Sequence, residues 1–192
     1  MLKINQIRCE VGETFSIHHI AKKLRCSIHD IHSFEIDRES IDARGDDLHY
    51  SYSVYASIKN EDKYLKNRDV KKESKEVYNL PTTTKAPIQR PIIVGFGPSG
   101  MYAGLILAEA GLNPIIIERG QAVEQRTKDI KEFFTKGKLL ESSNVQFGEG
   151  GAGTFSDGKL TTRMKNIRVS KVYEEFVEAG ANPAILYQQR PH

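Results

Sequence analysis

The feature that most constrains this chain is a glycine turn set between two short apolar runs. Ile92-Ile93-Val94 lead into Gly95-Phe96-Gly97-Pro98-Ser99-Gly100, and a second run, Ile115-Ile116-Ile117, ends at Glu118. Short β-branched runs of this kind are typical of strands that are buried on both faces. A strand, a glycine turn, a helical segment, a second strand and an acidic residue, in that order, predict a βαβ unit that binds a dinucleotide.

The residues of the turn suit separate mechanical tasks. Gly95 permits the tight turn off the strand, Gly97 allows close approach of the backbone to a pyrophosphate, and Gly100 lets the helix pack on the strand. Pro98 suits the first position of a helix, where the missing N–H costs nothing. We predict a helix from Pro98 to about Ala110, whose free N–H groups and positive dipole end face the phosphates.

Glu118 predicts which dinucleotides the unit accepts. A carboxylate at the end of the second strand can accept hydrogen bonds from both hydroxyls of an adenosine ribose, and it repels a 2′-phosphate, which argues against NADP. The spacing does not separate NAD from FAD. The alternative is a βαβ unit with a glycine turn and no ligand.

Two groups of residues carry a family resemblance. Gly97-Pro98-Ser99-Gly100 with Tyr102-Ala103, followed later by Glu118-Arg119-Gly120, resembles the FAD-binding region of glutathione-reductase-type flavoproteins. The glycine-dense segment Phe147–Leu160, together with Ser40–Arg44, is similar to a bacterial family described as uncharacterised FAD-dependent (or NAD/FAD-utilising) dehydrogenases. This resemblance covers essentially the whole chain. It implies a flavin-dependent oxidoreductase with FAD as cofactor and NAD(H) as a candidate electron donor in the full-length protein.

The resemblance also implies which residues contact the cofactor. The glycine turn would hold the pyrophosphate, through Gly95, Gly97, Pro98, Ser99 and Gly100. Glu118 would bind the ribose, and Arg119 would lie on the adenine side. Arg126 would reach the flavin or its phosphates, with a solvated charge on a helix face as the alternative.

The glycine-dense segment is implied to lie beside the flavin. Gly150, Gly151 and Ala152 would let the backbone approach the isoalloxazine ring, with a flexible surface loop as the alternative. No residue is identified as a catalytic acid or base. The candidates, only because they follow Gly150, Gly151 and Ala152, are Ser156, Asp157 and Lys159, and a structural role is their alternative.

The predicted fold class is α/β in two domains. Residues 1–84 are predicted to form a ferredoxin-like α+β module that ends in a basic linker, and residues 85–192 an incomplete Rossmann-like FAD-binding βαβ domain. In the module we predict a helix with apolar residues from Ile17 to Leu24, and a strand Leu48–Ile58 with one solvated face. The further predicted elements are strands at Leu2–Arg8, Ser33–Ile41 and near Val77, and a short helix at Glu61–Asn67.

The segment between the two predicted domains is basic. Lys59–Arg90 carries nine Lys and Arg against five Asp and Glu, and Pro and Thr follow without periodicity. This composition is typical of an exposed connection, with the boundary near Lys85. The part after Glu118 is too short to close a flavoprotein domain. We therefore expect an N-terminal fragment of a longer flavoenzyme, with a natural short nucleotide-binding protein as the alternative.

Composition limits the partners. The chain is 39% hydrophobic and 28% charged, and its net charge of +3 is too small to favour a nucleic-acid partner. No apolar run approaches the roughly 20 residues that span a membrane, and no signal peptide is predicted. Cys9 and Cys26 are predicted to be reduced in a cytoplasmic protein. The four histidines at 18, 19, 29 and 32 do not predict a metal site.

The predicted partners are therefore FAD and a small-molecule substrate whose identity the sequence does not give. Two functions of other classes stay open. One is a non-catalytic nucleotide-binding or regulatory module that senses NAD(H) or FAD through the same βαβ unit. The other is an RNA-associated ferredoxin-like domain fused to a flavin fold.

Overall fold

The computed structural model describes residues 1–45, 47–82, 88–160, 162, 164 and 166–189. The fold is mixed α/β, with an antiparallel sheet and helices. The chain divides into two compact units. The first comprises Met1–Tyr78 with Lys159–His192, and the second comprises Asn79–Gly158. The predicted division into 1–84 and 85–192 stays a prediction, and its boundary near Lys85 lies outside the described residues.

The first unit is built on a four-stranded antiparallel sheet. Its strands are β1 (Leu2–Glu10), β2 (Ile31–Asp42), β3 (His49–Ile58) and β4 (Val70–Lys72), in the order β2-β3-β1-β4. The helix α1 (Ile17–Leu24) connects β1 to β2. Ser16 and His19 form a capping box at its start, and Arg25 in the left-handed conformation ends it.

The core of this unit lies between α1 and one face of the sheet. Ile20, Ala21 and Leu24 of α1 are buried, as their helical spacing predicts. The sheet contributes alternate residues that are almost completely excluded from solvent, above all Leu2, Ile4, Ile7, Val54 and Ala56. Burial of such side chains supplies most of the free energy that holds a small domain together.

The opposite face of β3 corrects one expectation. It was predicted to be solvated, but Ser53 and Tyr55 on that face are buried. The Tyr55 hydroxyl accepts a hydrogen bond from Lys3 Nζ at 3.0 Å and donates one to Glu73 at 3.2 Å. Lys3 also pairs with Asp37. A polar network therefore covers the face that alternation alone marks as open.

Two predicted elements are also misplaced. The helix predicted at Glu61–Asn67 is a 3-10 turn over Glu61–Tyr64. The last strand is β4 rather than a strand near Val77, which is exposed. Val70–Lys72 is thus part of the first unit and not of a linker. A three-residue edge strand with one buried side chain leaves no periodic pattern to find.

The later part of the chain also contributes to the first unit. It includes the helix α4 (Ile167–Glu178) and a 3-10 turn over Pro183–Leu186. The N–H of Glu39 in β2 donates to Tyr187 O at 2.7 Å, and the N–H of Gln189 donates to Glu39 O at 2.9 Å. These bonds lie along the outer edge of β2, so this segment satisfies edge groups that would otherwise be open to another chain.

The second unit contains the predicted βαβ element. Strands β5 (Ile92–Val94) and β6 (Ile115–Ile117) are parallel and pair in register, and α2 (Pro98–Glu109) connects them. The helix α3 (Val123–Lys136) follows and ends at Gly137, which has a positive φ of 70°. The bounds of β5, α2 and β6 agree closely with the sequence pattern.

The burial predicted for these two strands is wrong. Ile92 is 63% exposed, Val94 85% and Ile117 52%. The sheet has two strands among the described residues, and α2 packs on it through Gly104, where a Cβ would lie 2.7 Å from Ile116. Among the described residues, one layer of helix covers one face of this sheet, and no third strand pairs with either edge.

Within the described part of the chain, no helix has the length and apolar character needed to cross a membrane. A cytoplasmic location stays a prediction.

The first unit should depend on its core in a measurable way. Replacing Ile4 with Ala removes a fully buried side chain and should lower the free energy of unfolding by about 2–5 kcal/mol. Chemical denaturation followed by circular dichroism measures this change. Val11→Ala, at a position that is 55% exposed, is the control and should have little effect. Equal effects of the two substitutions would contradict this description of the core.

Candidate functional site

The glycine turn between β5 and α2 has the tight geometry that its sequence predicts. Gly95 has a positive φ of 96°, and its N–H donates to Ile117 O at 2.7 Å. A Cβ at Gly100 would lie 2.0 Å from Gly95 O, so only glycine allows the first turn of α2 to come this close. Pro98 stands at the start of α2, and Gly97 is the N-cap residue.

The carboxylate of Glu118 lies against this turn. Its Oε2 accepts the N–H of Phe96 at 2.6 Å, and its Oε1 accepts the N–H of Gly120 at 2.7 Å. Hydrogen bonds to the ionised form hold the pKa of Glu118 below its ordinary value, with Gly120 as the largest cause and Phe96 next. The turn therefore carries a fixed negative charge whose oxygens retain lone pairs for further donors.

The glycine-dense segment packs on the turn. Gly151–Phe155 form a 3-10 turn that Gly150 precedes with a positive φ of 81°. The N–H of Gly150 donates to Phe96 O at 2.8 Å, and a Cβ at Gly151 would lie 3.0 Å from Gly97 Cα. The predicted neighbours thus meet through their backbones, and the segment is bonded to the turn rather than free on the surface.

A second close approach joins the same segment to the end of β6. A Cβ at Gly120 would lie 2.3 Å from Gly148 Cα. The N–H of Glu149 donates to Gln121 O at 3.1 Å, and its carboxylate accepts the N–H of Val123 at 2.7 Å. This carboxylate satisfies an N–H in the first turn of α3 and favours its positive dipole end.

Arg126 lies beneath the segment and is completely buried. The alternative of a solvated helix-face charge is therefore wrong. Its guanidinium donates to acceptors just before the segment and within it, namely Asn144 O at 2.9 Å, Val145 O at 3.0 Å, Glu149 O at 2.6 Å and Thr154 Oγ1 at 3.2 Å. The guanidinium also lies 4.9 Å from the centre of the Phe155 ring. Sequence reasoning missed this role because main-chain acceptors leave no residue pattern.

A cleft of about 490 Å³ opens between these segments. Five predicted site residues line it: Gly95, Gly97, Glu118, Arg119 and Gly151. The exposed Arg119 guanidinium lies over the ring of Phe147 at 5.1 Å. The lining residues that the prediction missed are Val94, Ile117, Gln146, Phe147 and Gly148. Phe147 and Gly148 open the glycine-dense segment, so its composition was the available signal.

The other predicted residues are placed around this cleft or away from it. Ser99 and Gly100 stand in the first turn of α2, and Ala152 is exposed in the 3-10 turn. Ser156 and Asp157 are exposed beyond that turn, and Lys159 belongs to the other compact unit. No catalytic role is assigned to these last three residues.

The first unit holds a separate cluster that the sequence did not reveal. Ligand atoms of Cys9, Glu13 and His19 lie within 4.8 Å of one another. However, the N–H of Ser16 donates to His19 Nδ1 at 3.2 Å, which places the ring proton on Nε2, 3.4 Å from Glu13 Oε2. His19 Nδ1 is thus the acceptor in the helix cap and Nε2 the donor to Glu13, so neither ring nitrogen offers a free lone pair to a metal.

Residues 1–57 match a family model described as a domain of unknown function, DUF8436. The chain is 41% identical over 198 aligned residues to an "Uncharacterized protein" of Clostridium beijerinckii. That alignment covers 100% of this chain and 37% of the relative, so the chain spans little more than a third of the relative's length.

The turn geometry predicts an asymmetry between two glycines. Gly100→Ala places a methyl group against the carbonyl of Gly95 and should destabilise the second unit by about 1–3 kcal/mol. Gly153→Ala is the matched control, because its Cβ would meet Pro98 at an ordinary 3.7 Å and its φ is not positive. Hydrogen–deuterium exchange of α2 measures both. If the amides of α2 exchanged as slowly in Gly100→Ala as in the wild type, the close approach of Gly100 to Gly95 O would be contradicted.

The Glu118 carboxylate should also make the second unit sensitive to acid. Its folded pKa lies below the ordinary value of 4.5, so its stabilising effect is complete above that pH and is lost as the pH falls through the folded pKa. Exchange protection of α2 between pH 7 and 3 should therefore fall less steeply in Glu118→Gln than in wild type. Glu141→Gln, at an exposed position, is the control. A Glu118→Gln profile with the wild-type slope would contradict this assignment.

Proposed function

We propose that this chain is the FAD-binding portion of a flavin-dependent oxidoreductase of the dehydrogenase class. The observation that carries the proposal is the ionised Glu118 beside the glycine turn, with both lining one cleft. The polar groups of the cleft suit an adenine dinucleotide. The free backbone N–H groups at the start of α2 can donate to phosphate, and the carboxylate can accept hydrogen bonds from ribose hydroxyls.

The two folds are part of the proposal. The strand order β2-β3-β1-β4, all antiparallel, supports a ferredoxin-like plan for the N-terminal sheet, with a 3-10 turn in place of the second helix. The parallel pair β5 and β6, joined by α2, supports an incomplete Rossmann-like domain.

Within the cleft, each residue has a proposed task. Gly95, Gly97, Pro98, Ser99 and Gly100 form the phosphate-facing turn at the start of α2. Glu118 accepts hydrogen bonds from the ribose hydroxyls and repels a 2′-phosphate, which favours FAD or NAD(H) over NADP(H). Arg119 and Phe147 offer flat surfaces on the adenine side.

The glycine-dense segment would form the flavin side. Gly150, Gly151 and the exposed Ala152 present backbone and little side chain there. FAD, when bound, would supply the transfer of a hydride or of electrons. The chain's own residues would bind and orient it. In a longer protein, NAD(H) is the proposed electron donor, and the substrate is a small molecule.

The exposed isoleucines support a role within a longer protein. Ile92, Val94 and Ile117 form an apolar surface on a sheet that has two strands among the described residues. A stable parallel sheet is normally covered on both faces. The relative aligned to this chain has more than half its length outside the alignment. We propose that strands from such additional sequence complete this sheet.

The non-catalytic alternative, a sensor of NAD(H) or FAD, would use the same cleft. The RNA-associated alternative has less support, because Tyr55 on the second face of the N-terminal sheet is buried and hydrogen-bonded rather than open to a base.

Flavin binding tests the proposal directly. After incubation with FAD and desalting, the chain should show flavin absorbance, weakly if the open sheet limits retention. Glu118→Ala should lower the affinity about tenfold or more, because a hydrogen bond to a charged group contributes about 1.5–3 kcal/mol. Fluorescence titration measures this, with Glu141→Ala as the control. Binding of NAD without FAD would favour the sensor, and binding of neither would reject the dinucleotide site.

A further inference from the structure

Arg126 is the largest side chain of the described residues that is fully buried, and the hydrogen bonds of its guanidinium all go to residues 144–154. We propose that Arg126 is a positioning residue that fixes residues 144–154 as a rigid wall of the cleft. By holding that wall in place, it would raise the affinity of the cleft for nucleotides that carry a diphosphate, without touching the ligand. The inference rests on the proposed nucleotide site, and it departs from a direct contact between Arg126 and the flavin.

The geometry of the guanidinium supports a positioning role. Its nitrogens reach Asn144 O and Val145 O before Gly148, and Glu149 O and Thr154 Oγ1 after it. One planar group thus ties both arms of the segment. A lysine carries the same charge on one nitrogen and lacks the planar fork that spans such separated acceptors.

The wall that Arg126 supports is also the surface of the cleft. Gly148 lines the cleft, and a Cβ there would lie 2.6 Å from Arg126 Cδ. Gly151 lines the cleft too and lies against Gly97 of the glycine turn. A shift of the segment would therefore change the distance between the wall and the phosphate-facing turn.

The charge of Arg126 supports a link to an anionic ligand. Its acceptors are carbonyl and hydroxyl oxygens, and no carboxylate of the described residues forms a salt bridge with it. Burial lowers the pKa of Arg126, and the more distant Glu118 opposes that effect. A buried cation without an adjacent anion is costly. A diphosphate in the cleft would reduce that cost, whereas neutral adenosine would not.

The test compares ligands that share the adenosine part and differ in the diphosphate. The affinities of adenosine, ADP and FAD are measured by calorimetry on wild type, Arg126→Met and Arg126→Lys, together with the thermal midpoint of each protein. Lys128→Met, at an exposed position of the same helix, removes one positive charge elsewhere and is the control. Thr154→Val removes one acceptor of Arg126 and keeps its charge.

We expect the preference for ADP over adenosine to fall about tenfold in Arg126→Met, because this substitution removes both the hydrogen bonds that fix the wall and the buried positive charge that favours the diphosphate. It should fall less in Arg126→Lys and Thr154→Val, and stay unchanged in Lys128→Met. Should Arg126→Met fail to fold, the ratio of ADP to adenosine affinity in Arg126→Lys and Thr154→Val tests the inference, and an unchanged ratio in both would overturn it.

Three outcomes separate the possibilities. A lower thermal midpoint with an unchanged ratio of ADP to adenosine affinity would make Arg126 a purely structural residue and overturn the inference. An equal loss of ratio in Lys128→Met would reduce the effect to net charge and overturn it as well. Wild type that binds neither ADP nor FAD would reject the proposed function, and this inference with it.

Discussion

The second unit depends on close contact between backbones, and glycine is what permits that contact. A Cβ at Gly151 would lie 3.0 Å from Gly97 Cα, and a Cβ at Gly120 would lie 2.3 Å from Gly148 Cα, so there is little room for a side chain at Gly151 and none at Gly120. Three segments that are remote in sequence are thereby held as one surface: the turn after β5, the end of β6 and the glycine-dense segment. Glycine loses more conformational entropy on folding than other residues do, so further interactions are needed to hold such contacts.

Two charged side chains supply these interactions. One accepts hydrogen bonds from backbone N–H groups, and the other donates hydrogen bonds to backbone carbonyl groups. Glu118 accepts N–H groups from the turn and from the end of β6. Arg126 donates to the carbonyl oxygens of Asn144 and Val145, just before the glycine-dense segment, and of Glu149 within it. Charge-assisted hydrogen bonds are stronger than neutral ones. The charge of Glu118 also raises the pKa of Arg126, against the lowering caused by burial, which links the acidic side of the cleft to its buried cation.

The parts of this arrangement that the sequence could predict are those with a local cause. The β-branched runs at Ile92 and Ile115 and the glycine turn between them define β5, α2 and β6 almost to the residue. The same runs cannot tell how many strands lie beside them, so the predicted burial of Ile92 fails. The role of Arg126 is hidden for another reason, because its partners are main-chain oxygens of residues such as Asn144 and Val145. A helix-face arginine has the same pattern whether it points to water or to a loop.

The two units also differ in what holds them together. The first has an aliphatic core around Ile4 and Val54. In the second, buried side chains include Arg126, Asp129 and Ser143, and Asp129 accepts hydrogen bonds from Ser143 and Gln125.

Polar networks of this kind define geometry sharply but add little net free energy, because each of their hydrogen bonds replaces one that the unfolded chain makes to water. The apolar surface that could add more is still exposed on β5 and β6. The geometry of the cleft is therefore defined by polar contacts, although apolar surface of its unit is still left unburied. In the proposed longer protein, the strands that cover these isoleucines would supply stability without having to reshape the site.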